Sequence, residues 1–536
     1  MNRYAVTATV SAIAMVTVAA APAVGTTRSA RPAQTASADS LRWGKCPVHA
    51  YPDLSGSGTK CAKLRVPINY AKPGGATLTL EVSRVRHSSS TANYKGVILT
   101  NPGGPGDGGL DLGTELAGSV PGNVGADYDW ISWDPRGIGA SRPRLHCESG
   151  YFTAPRRSYV PTSKSLLHYW LHRAKAYAHA CERHHPLLLA HDTTRDSALD
   201  MESIRKALGV ATISYYGYSY GTYLGQVYST LFPEHLKYMV LDSNVNPHRV
   251  WYQANLDQDR AFQRNIDIYF TWVAHHNHAF RLGSTHKAVA ARYRRDLATL
   301  THHPDGRLGP DEFADAAEVA AYYDSTWPEL TYDWASYSLH GHPGDLLELY
   351  RENDLPGDDN GFVGYNAVQC TDAPWPKWKR WKKDNTAYYK KYPFMTWNNA
   401  WFNAPCLYWG AKAHKPVTIN GSRTKSALLI DETRDAATPY SGSLAVRRLY
   451  PNASLIAEPG GVTHADSLDG DNCVDNLIAR YLKTGHRPAR QHWNQADALC
   501  RPLPHPSASS SLFAFTRRAV VGLPGGRGTG VDPARG

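Results

Sequence analysis

At 536 residues the chain exceeds what one simple hydrophobic core serves, so a large domain with an insertion or a second domain is expected. Hydrophobic residues make up 42% and charged residues 20%, a balance that excludes a disordered polymer. The formal net charge of +11 is partly terminal, with Arg3, Arg28 and Arg31 against Asp39 and with Arg517, Arg518, Arg527 and Arg535 against Asp532; the remainder is too dilute for a polyanion-binding face, so no nucleic-acid partner is expected.

Arg3 precedes an almost charge-free run over 4–24, and Ala21-Pro22-Ala23 supplies small residues at a cleavage-site spacing. Ala and Thr dominate this run over large apolar residues, which favours a cleaved signal peptide (1–23) over a membrane anchor. The expected product is secreted and extracellular, with no stable membrane association after cleavage and a leader or pro-segment over 24–40. Eight cysteines, none in a Cys-x-x-Cys pair, read as four disulfides in an exported protein, with their connectivity left open.

From 61 to 86 the sequence alternates, and a strand is expected over 77–82 after the turn Pro73-Gly74-Gly75. Short apolar runs follow at 96–100, 128–133, 213–216, 238–241, 427–430 and 453–457, most of them ending in Gly or Asp. Such runs, separated by helical stretches (196–208 is one), indicate a mostly parallel sheet in an α/β protein. The segment 248–415 carries few strand signals and many Tyr, Trp, His and charged residues, which reads as a helical cap inserted between core segments 41–247 and 416–502. Residues 503–536, rich in Ser and Gly, are expected to be a disordered tail.

Gly217-Tyr218-Ser219-Tyr220-Gly221 stands directly after a strand run and before a helical one. In that context it resembles the nucleophile elbow of α/β-hydrolases, where glycines clear space around a serine on a sharp strand-to-helix turn. Serine needs a base and the base an orienting carboxylate, in the chain order Ser, acid, His. Asp435, with Asp431 as rival, and His464 after Gly460-Gly461-Val462-Thr463 satisfy that order. An oxyanion hole needs two backbone donors: Tyr220, following the nucleophile, and Gly104, in the loop Asn101-Pro102-Gly103-Gly104-Pro105-Gly106. No Lys-Ser or Lys-Thr pair follows those glycines, so a phosphate loop is excluded.

Ser219 in Gly-Tyr-Ser-Tyr-Gly-Thr, the Asn101 loop, Trp133-Asp-Pro-Arg-Gly-Ile-Gly-Ala-Ser141 and Asp435-x-x-Thr-Pro439 together resemble the secreted tripeptidyl aminopeptidases of actinobacteria, relatives of prolyl aminopeptidase. The resemblance runs from about 43 to 501 and includes Cys473, Tyr481-Leu-Lys-Thr-Gly485 and Cys500 near its end. It implies removal of tripeptides from free N-termini, often with proline or small residues at the cut, and no cofactor. Three departures stand out: Asp107-Gly108-Gly109 where the family has Gly-Ser-Gly, Val462-Thr463-His464-Ala465 in place of Gly-His-Gly, and Asn246 where relatives often carry Asp.

An aminopeptidase must hold the substrate ammonium with a carboxylate; Asp242 and Asp372 are the candidates. The expected partners are peptides with a free N-terminus, acted on by a monomer. A prolyl-type single-residue aminopeptidase and an esterase using the same triad are the competing functions, since fold and triad do not fix the acyl group. The stretch 375–383 interleaves Trp with Lys and Arg, but Trp378 and Trp381 share a helix face, so an amphipathic cap helix is expected there. The runs His275-His276-Asn277-His278 and His184-His185 lack a second ligand set, and no metal is assigned.

Overall fold

Among the described residues of this computed structural model, nine strands form a single sheet in the order β1-β2-β4-β3-β5-β6-β7-β8-β9. They are β1 (Lys60–Pro67), β2 (Thr77–Val85), β3 (Gly96–Asn101), β4 (Tyr128–Trp133), β5 (Ile213–Tyr218), β6 (Leu236–Asp242), β7 (Ala427–Glu432), β8 (Ala453–Glu458) and β9 (Ala498–Leu499). The pairs β1/β2 and β2/β4 are antiparallel, and every later pair is parallel. The structure describes residues 41–354 and 356–508. The expected signal peptide, the leader and most of the expected tail lie outside them.

The central strands are mostly apolar before their carboxyl ends because both faces are covered. Val97, Leu99, Ile213, Tyr215, Leu429 and Leu455 enter one hydrophobic cluster, while Ile98, Tyr216, Leu428, Ile430 and Ile456 enter another. Successive side chains of a strand point to opposite faces, so these runs hold two layers of helices at once. Each such buried aliphatic side chain contributes about 1.5–3 kcal/mol relative to leaving it exposed. The short β9 carried no sequence signal because two residues make no pattern.

Between β6 and β7 the chain is helical, with helices at Tyr252–His275, His286–His302, Pro310–Tyr322, Trp327–His340, Gly344–Asp354, Asn360–Asp372, Trp378–Tyr389 and Thr396–Asn403. This segment has its own core, in which Phe270, Val273, Val289, Phe313, Trp327 and Trp334 pack together. Part of the earlier chain joins it. Trp170, in the helix Lys164–His184, stacks on Trp401 with ring centroids 6.0 Å apart, and Tyr151 stacks on Phe362 at 5.0 Å. Trp378 and Trp381 stack at 5.4 Å, and Trp381 is buried, so the aromatic residues of that basic helix pack inward.

The beginning of the expected disordered tail is fixed in place. Trp272 Nε1 donates to the Pro506 carbonyl at 3.0 Å, and His505 meets Asp324 at 2.7 Å, so 503–508 lie against the insertion. The cysteines pair in sequence order, Cys46–Cys61, Cys147–Cys181, Cys370–Cys406 and Cys473–Cys500. Among the described residues no helix is long and apolar enough to cross a membrane.

Candidate active site

Parallel strands leave their carboxyl ends in one row, and loops leaving that row converge. Asn101 pairs with Gly217, Tyr218 with Asp242, Asp242 with Ile430, and Glu432 with Glu458. Gly104, Ser219, Asp435 and His464 each follow one of these strand ends within a few residues.

Ser219 sits between β5 and the helix Tyr220–Leu231 with φ +53° and ψ −124°, a conformation a non-glycine residue holds only when its surroundings enforce it. The enforcement is local. The Ser219 N–H donates to the Asp242 carbonyl at 3.0 Å, and its own carbonyl accepts from Thr222 N at 2.9 Å and Thr222 Oγ1 at 2.6 Å. Gly217 and Gly221 make the sharp reversal possible: a Cβ on Gly217 would lie 2.7 Å from the Gly221 carbonyl, and one on Gly221 would lie 2.7 Å from that of Asn101. Ser219 is 7% exposed and lines a cavity open to solvent.

Tyr220 and Gly104 line the same cavity. Tyr220 is the first residue of its helix, so its N–H has no intrahelical acceptor and carries the positive end of the helix dipole. Gly103, with φ +120°, lies against the elbow, where a Cβ would come within 2.9 Å of that of Ser219; its N–H is taken by Asn101 Oδ1 at 3.1 Å. The loop is anchored from below by Asp134, whose carboxylate accepts from Gly109 N at 3.0 Å, Ala140 N at 2.6 Å and Tyr51 Oη at 2.5 Å. Burial pushes Asp134 up to about 6 even though those donors favour its charged form. This is the physical role of Asp134 in the Trp-Asp-Pro-Arg motif; the next charged residue, Arg136, forms a buried two-point ion pair with Asp200 at 2.7 and 2.8 Å.

Asp435 and His464 meet at the ends of β7 and β8. His464 Nδ1 lies 2.7 Å from Asp435 Oδ2, with both side chains fully buried. The same carboxylate accepts from Ala437 N at 2.8 Å, Thr438 N at 3.0 Å and Thr438 Oγ1 at 2.8 Å. Burial raises the Asp435 pKa, but the facing imidazole and these donors outweigh it and hold the carboxyl below its usual range. His464 Nε2 is buried and has no hydrogen-bond partner among the described residues, Ser219 included. The rival acid Asp431 accepts from Ser443 Oγ at 2.5 Å instead.

The two expected ammonium carboxylates do not face the cavity. Asp242 Oδ2 accepts from Ser467 N at 3.0 Å and Oδ1 from Ser243 Oγ at 3.2 Å, because the end of β6 turns this side chain toward the histidine loop. Asp372 accepts from Thr194 N at 2.8 Å, Thr194 Oγ1 at 2.5 Å and Trp251 Nε1 at 3.2 Å, so it joins the insertion to the helix Thr194–Ala207. The cavity's acids come from elsewhere: Asp257, Asp315, Glu318 and Asp354, all in the insertion. Arg156 pairs with Asp315 and with Glu312, and Asn398 Nδ2 donates to both Asp315 Oδ1 (3.0 Å) and Glu318 Oε2 (2.9 Å). Burial, reinforced by Asp315, pushes Glu318 up to about 8. The sequence held a sign of this: in the helix Pro310–Tyr322 the carboxylates Asp311, Asp315 and Glu318 recur at spacings of four and three, on a helix otherwise rich in Ala.

Two family models match the chain, one described as the alpha/beta hydrolase fold over residues 96–340 and one described as TAP-like protein over residues 392–495. The tripeptidyl aminopeptidase of Streptomyces lividans is 36% identical over 457 residues, covering 83% of this chain and 84% of that protein. Serine protease Hip1 of Mycobacterium tuberculosis is 28% identical over 90% of this chain and 95% of its own length. Carboxylesterase B of the same organism is 30% identical over 88% and 94%. The fold and these relatives agree: the chain belongs to the tripeptidyl aminopeptidase family of α/β-hydrolases and is a serine peptidase.

Proposed function

We propose that this peptidase is exported and releases tripeptides from the free N-termini of peptides, using Ser219 as nucleophile, His464 as base and Asp435 as the acid that orients it. The observation that carries the reading is that the cavity opening on Ser219 also holds Asp315, Glu318 and Asp354. Arg156 offsets part of that negative charge, and a carboxyl with a pKa near 8 in a substrate cavity is one that a bound cation would ionise. A peptide's α-ammonium is such a cation, and Glu318, with Asp354 beside it, replaces Asp242 and Asp372 as the residue that holds it.

In the reaction Ser219 Oγ attacks the scissile carbonyl carbon while its proton passes to His464 Nε2. Asp435 fixes the imidazole with its Nδ1 proton toward the carboxylate and stabilises the imidazolium that forms. The N–H groups of Tyr220 and Gly104 receive the oxyanion, each worth about 3–4 kcal/mol in comparable sites. The C–N bond breaks, the departing amine takes the proton from His464, and the tripeptidyl ester stays on Ser219. Water, deprotonated by His464, then attacks the ester carbonyl; the C–O bond to Ser219 breaks, His464 returns the proton to Ser219 Oγ, and the tripeptide leaves with a free carboxyl. No cofactor enters these steps.

A chromogenic amine attached to a free tripeptide ending in proline tests this reading, run beside its single-residue and N-blocked versions and a short acyl ester. Rapid release from the free tripeptide alone is expected. Preference for the single residue would make the enzyme a prolyl-type aminopeptidase. A second reading, an esterase on the same triad, draws on the relative named carboxylesterase B; hydrolysis of the ester alone would establish it.

A further inference from the structure

Behind the histidine loop lies a group of carboxylates that the proposed reaction does not use. Glu432 ends β7 and Glu458 ends β8, and the two are direct partners in the parallel pairing. Like charges opposed on neighbouring strands are destabilising unless something lies between them. Asp466, two residues past His464, completes the group: one carboxylate oxygen from each of the three lies within 4.8 Å of the other two.

Glu458 is 1% exposed, and among the described residues no N–H or hydroxyl group donates to either of its carboxylate oxygens, whose near neighbours are the carboxyls of Asp466 and Asp471. A buried carboxylate left in this state is costly, and its neighbours are further acids rather than lysine or arginine. Asp471 stands beside it: Oδ1 caps the helix Asn472–Thr484 by accepting from Cys473 N at 2.6 Å, whereas the buried Oδ2 accepts from no N–H or hydroxyl group among the described residues. Glu432 accepts from Thr463 N, and the Gly461 backbone lies so close to it that a Cβ there would collide with the carboxylate. The histidine loop is therefore wrapped directly over the group.

We propose that Glu432, Glu458 and Asp466 form a calcium site that ties the ends of β7 and β8 to the loop carrying His464. Hard oxygen donors with no nitrogen or sulfur among them select a hard divalent cation. Calcium–oxygen bonds of about 2.3–2.6 Å let ligands on opposite sides of the ion stand roughly 5 Å apart, which accommodates the observed spread. Three carboxylates in one cage favour calcium over magnesium, which keeps most of its water and uses about one or two. The ion would neutralise the opposed strand ends and fix Asp466, and so hold His464 at a set distance from Asp435. This site is independent of the substrate reading.

The test is calorimetric and thermal, on the full-length enzyme after chelation with EDTA and dialysis. Calcium chloride should give a saturable binding isotherm of one ion per chain and raise the Tm by about 3 °C or more. Magnesium chloride should give a much weaker response, and Glu458→Gln should abolish both calcium signals. Absence of a calcium isotherm and of a Tm shift in the wild type would overturn the proposal and leave the carboxyls as proton-sharing acid pairs. An equal magnesium response would overturn the choice of ion, and calcium binding unchanged in Glu458→Gln would overturn the site. Should that variant fold poorly, the wild-type isotherm alone still decides whether an ion binds, and Glu432→Gln tests the position.

Discussion

The backbone N–H of His464 donates to the carbonyl of Tyr322 at 3.0 Å, so the last turn of the helix Pro310–Tyr322 holds the loop that carries the histidine. The same helix supplies Asp315 and Glu318 to the cavity. One element thus positions both the proposed base and the acids that line the cavity. Asn265 strengthens the junction, its Nδ2 donating at 3.1 Å to both the Ala321 and the Val462 carbonyls. Replacing Asn265 by Ala leaves two buried carbonyls without that donor, which costs about 1–3 kcal/mol. The expected outcome in steady-state kinetics is a kcat about 10-fold lower with a smaller change in KM, together with a lower Tm.

Asp435→Asn preserves the shape of the site but cannot hold the required tautomer of His464. A fall in kcat of about 10⁴-fold is expected, as in comparable triads. The acid limb of stability should change as well. Because the folded Asp435 has a pKa below its unfolded value, its stabilisation is complete above the unfolded pKa and is lost as pH falls through the folded one. Thermal unfolding followed from neutral pH down to pH ~3 should therefore show a flatter acid decline in Asp435→Asn than in the wild type.

Glu318 predicts the opposite sign. Its folded pKa is raised to about 8, so from the ordinary glutamate range up to about 8 the unfolded state sheds a proton that the folded state retains, and stability falls across that window. With Glu318 as the proposed ammonium partner, kcat/KM for a free-N-terminal peptide should rise with pH toward ~8 and fall as the peptide amine, of pKa about 7.7–8.0, loses its proton. In Glu318→Gln the ratio of free to N-acetylated substrate turnover should drop about 10–100-fold, the value of a charge-assisted hydrogen bond. An unchanged ratio would remove Glu318 from ammonium binding.

The Arg136–Asp200 pair gives a test of architecture. Arg136 also donates to the Ile68 and His191 carbonyls at 3.1 and 2.6 Å, so its removal leaves Asp200 and two carbonyls buried without it. Arg136→Met should destabilise the fold by about 3–5 kcal/mol, read by denaturant unfolding.

What could be read in the sequence followed from local signals. The strand runs around Ile98, Tyr215 and Leu429 were legible because burial on both faces leaves a continuous apolar string, and Ser219 because its strand–turn–helix context is compact. Asp435 and His464 were legible by order after the last strands, and they meet at 2.7 Å. The place of the acids around the cavity was not. Asp242 looked suitable from its place at a strand end, but the direction of its side chain depends on Ser467, 225 residues away. The spacing of Asp311, Asp315 and Glu318 marks an acidic stripe on one helix, but Glu318 faces the cavity only through the packing of the insertion, which that spacing does not encode. The opposed pair Glu432 and Glu458 was hidden for the same reason, since strand register is a long-range property.

The proposed reaction is tripeptide release from a free N-terminus by Ser219. Mass spectrometry of a proline-containing decapeptide incubated with the wild type and with Ser219→Ala tests it directly, with the N-terminus free or acetylated. Sequential loss of three-residue fragments from the free peptide is expected with the wild type, with the acetylated peptide intact and Ser219→Ala inert. Single-residue losses, internal cuts in the acetylated peptide, or fragments produced by Ser219→Ala would contradict it.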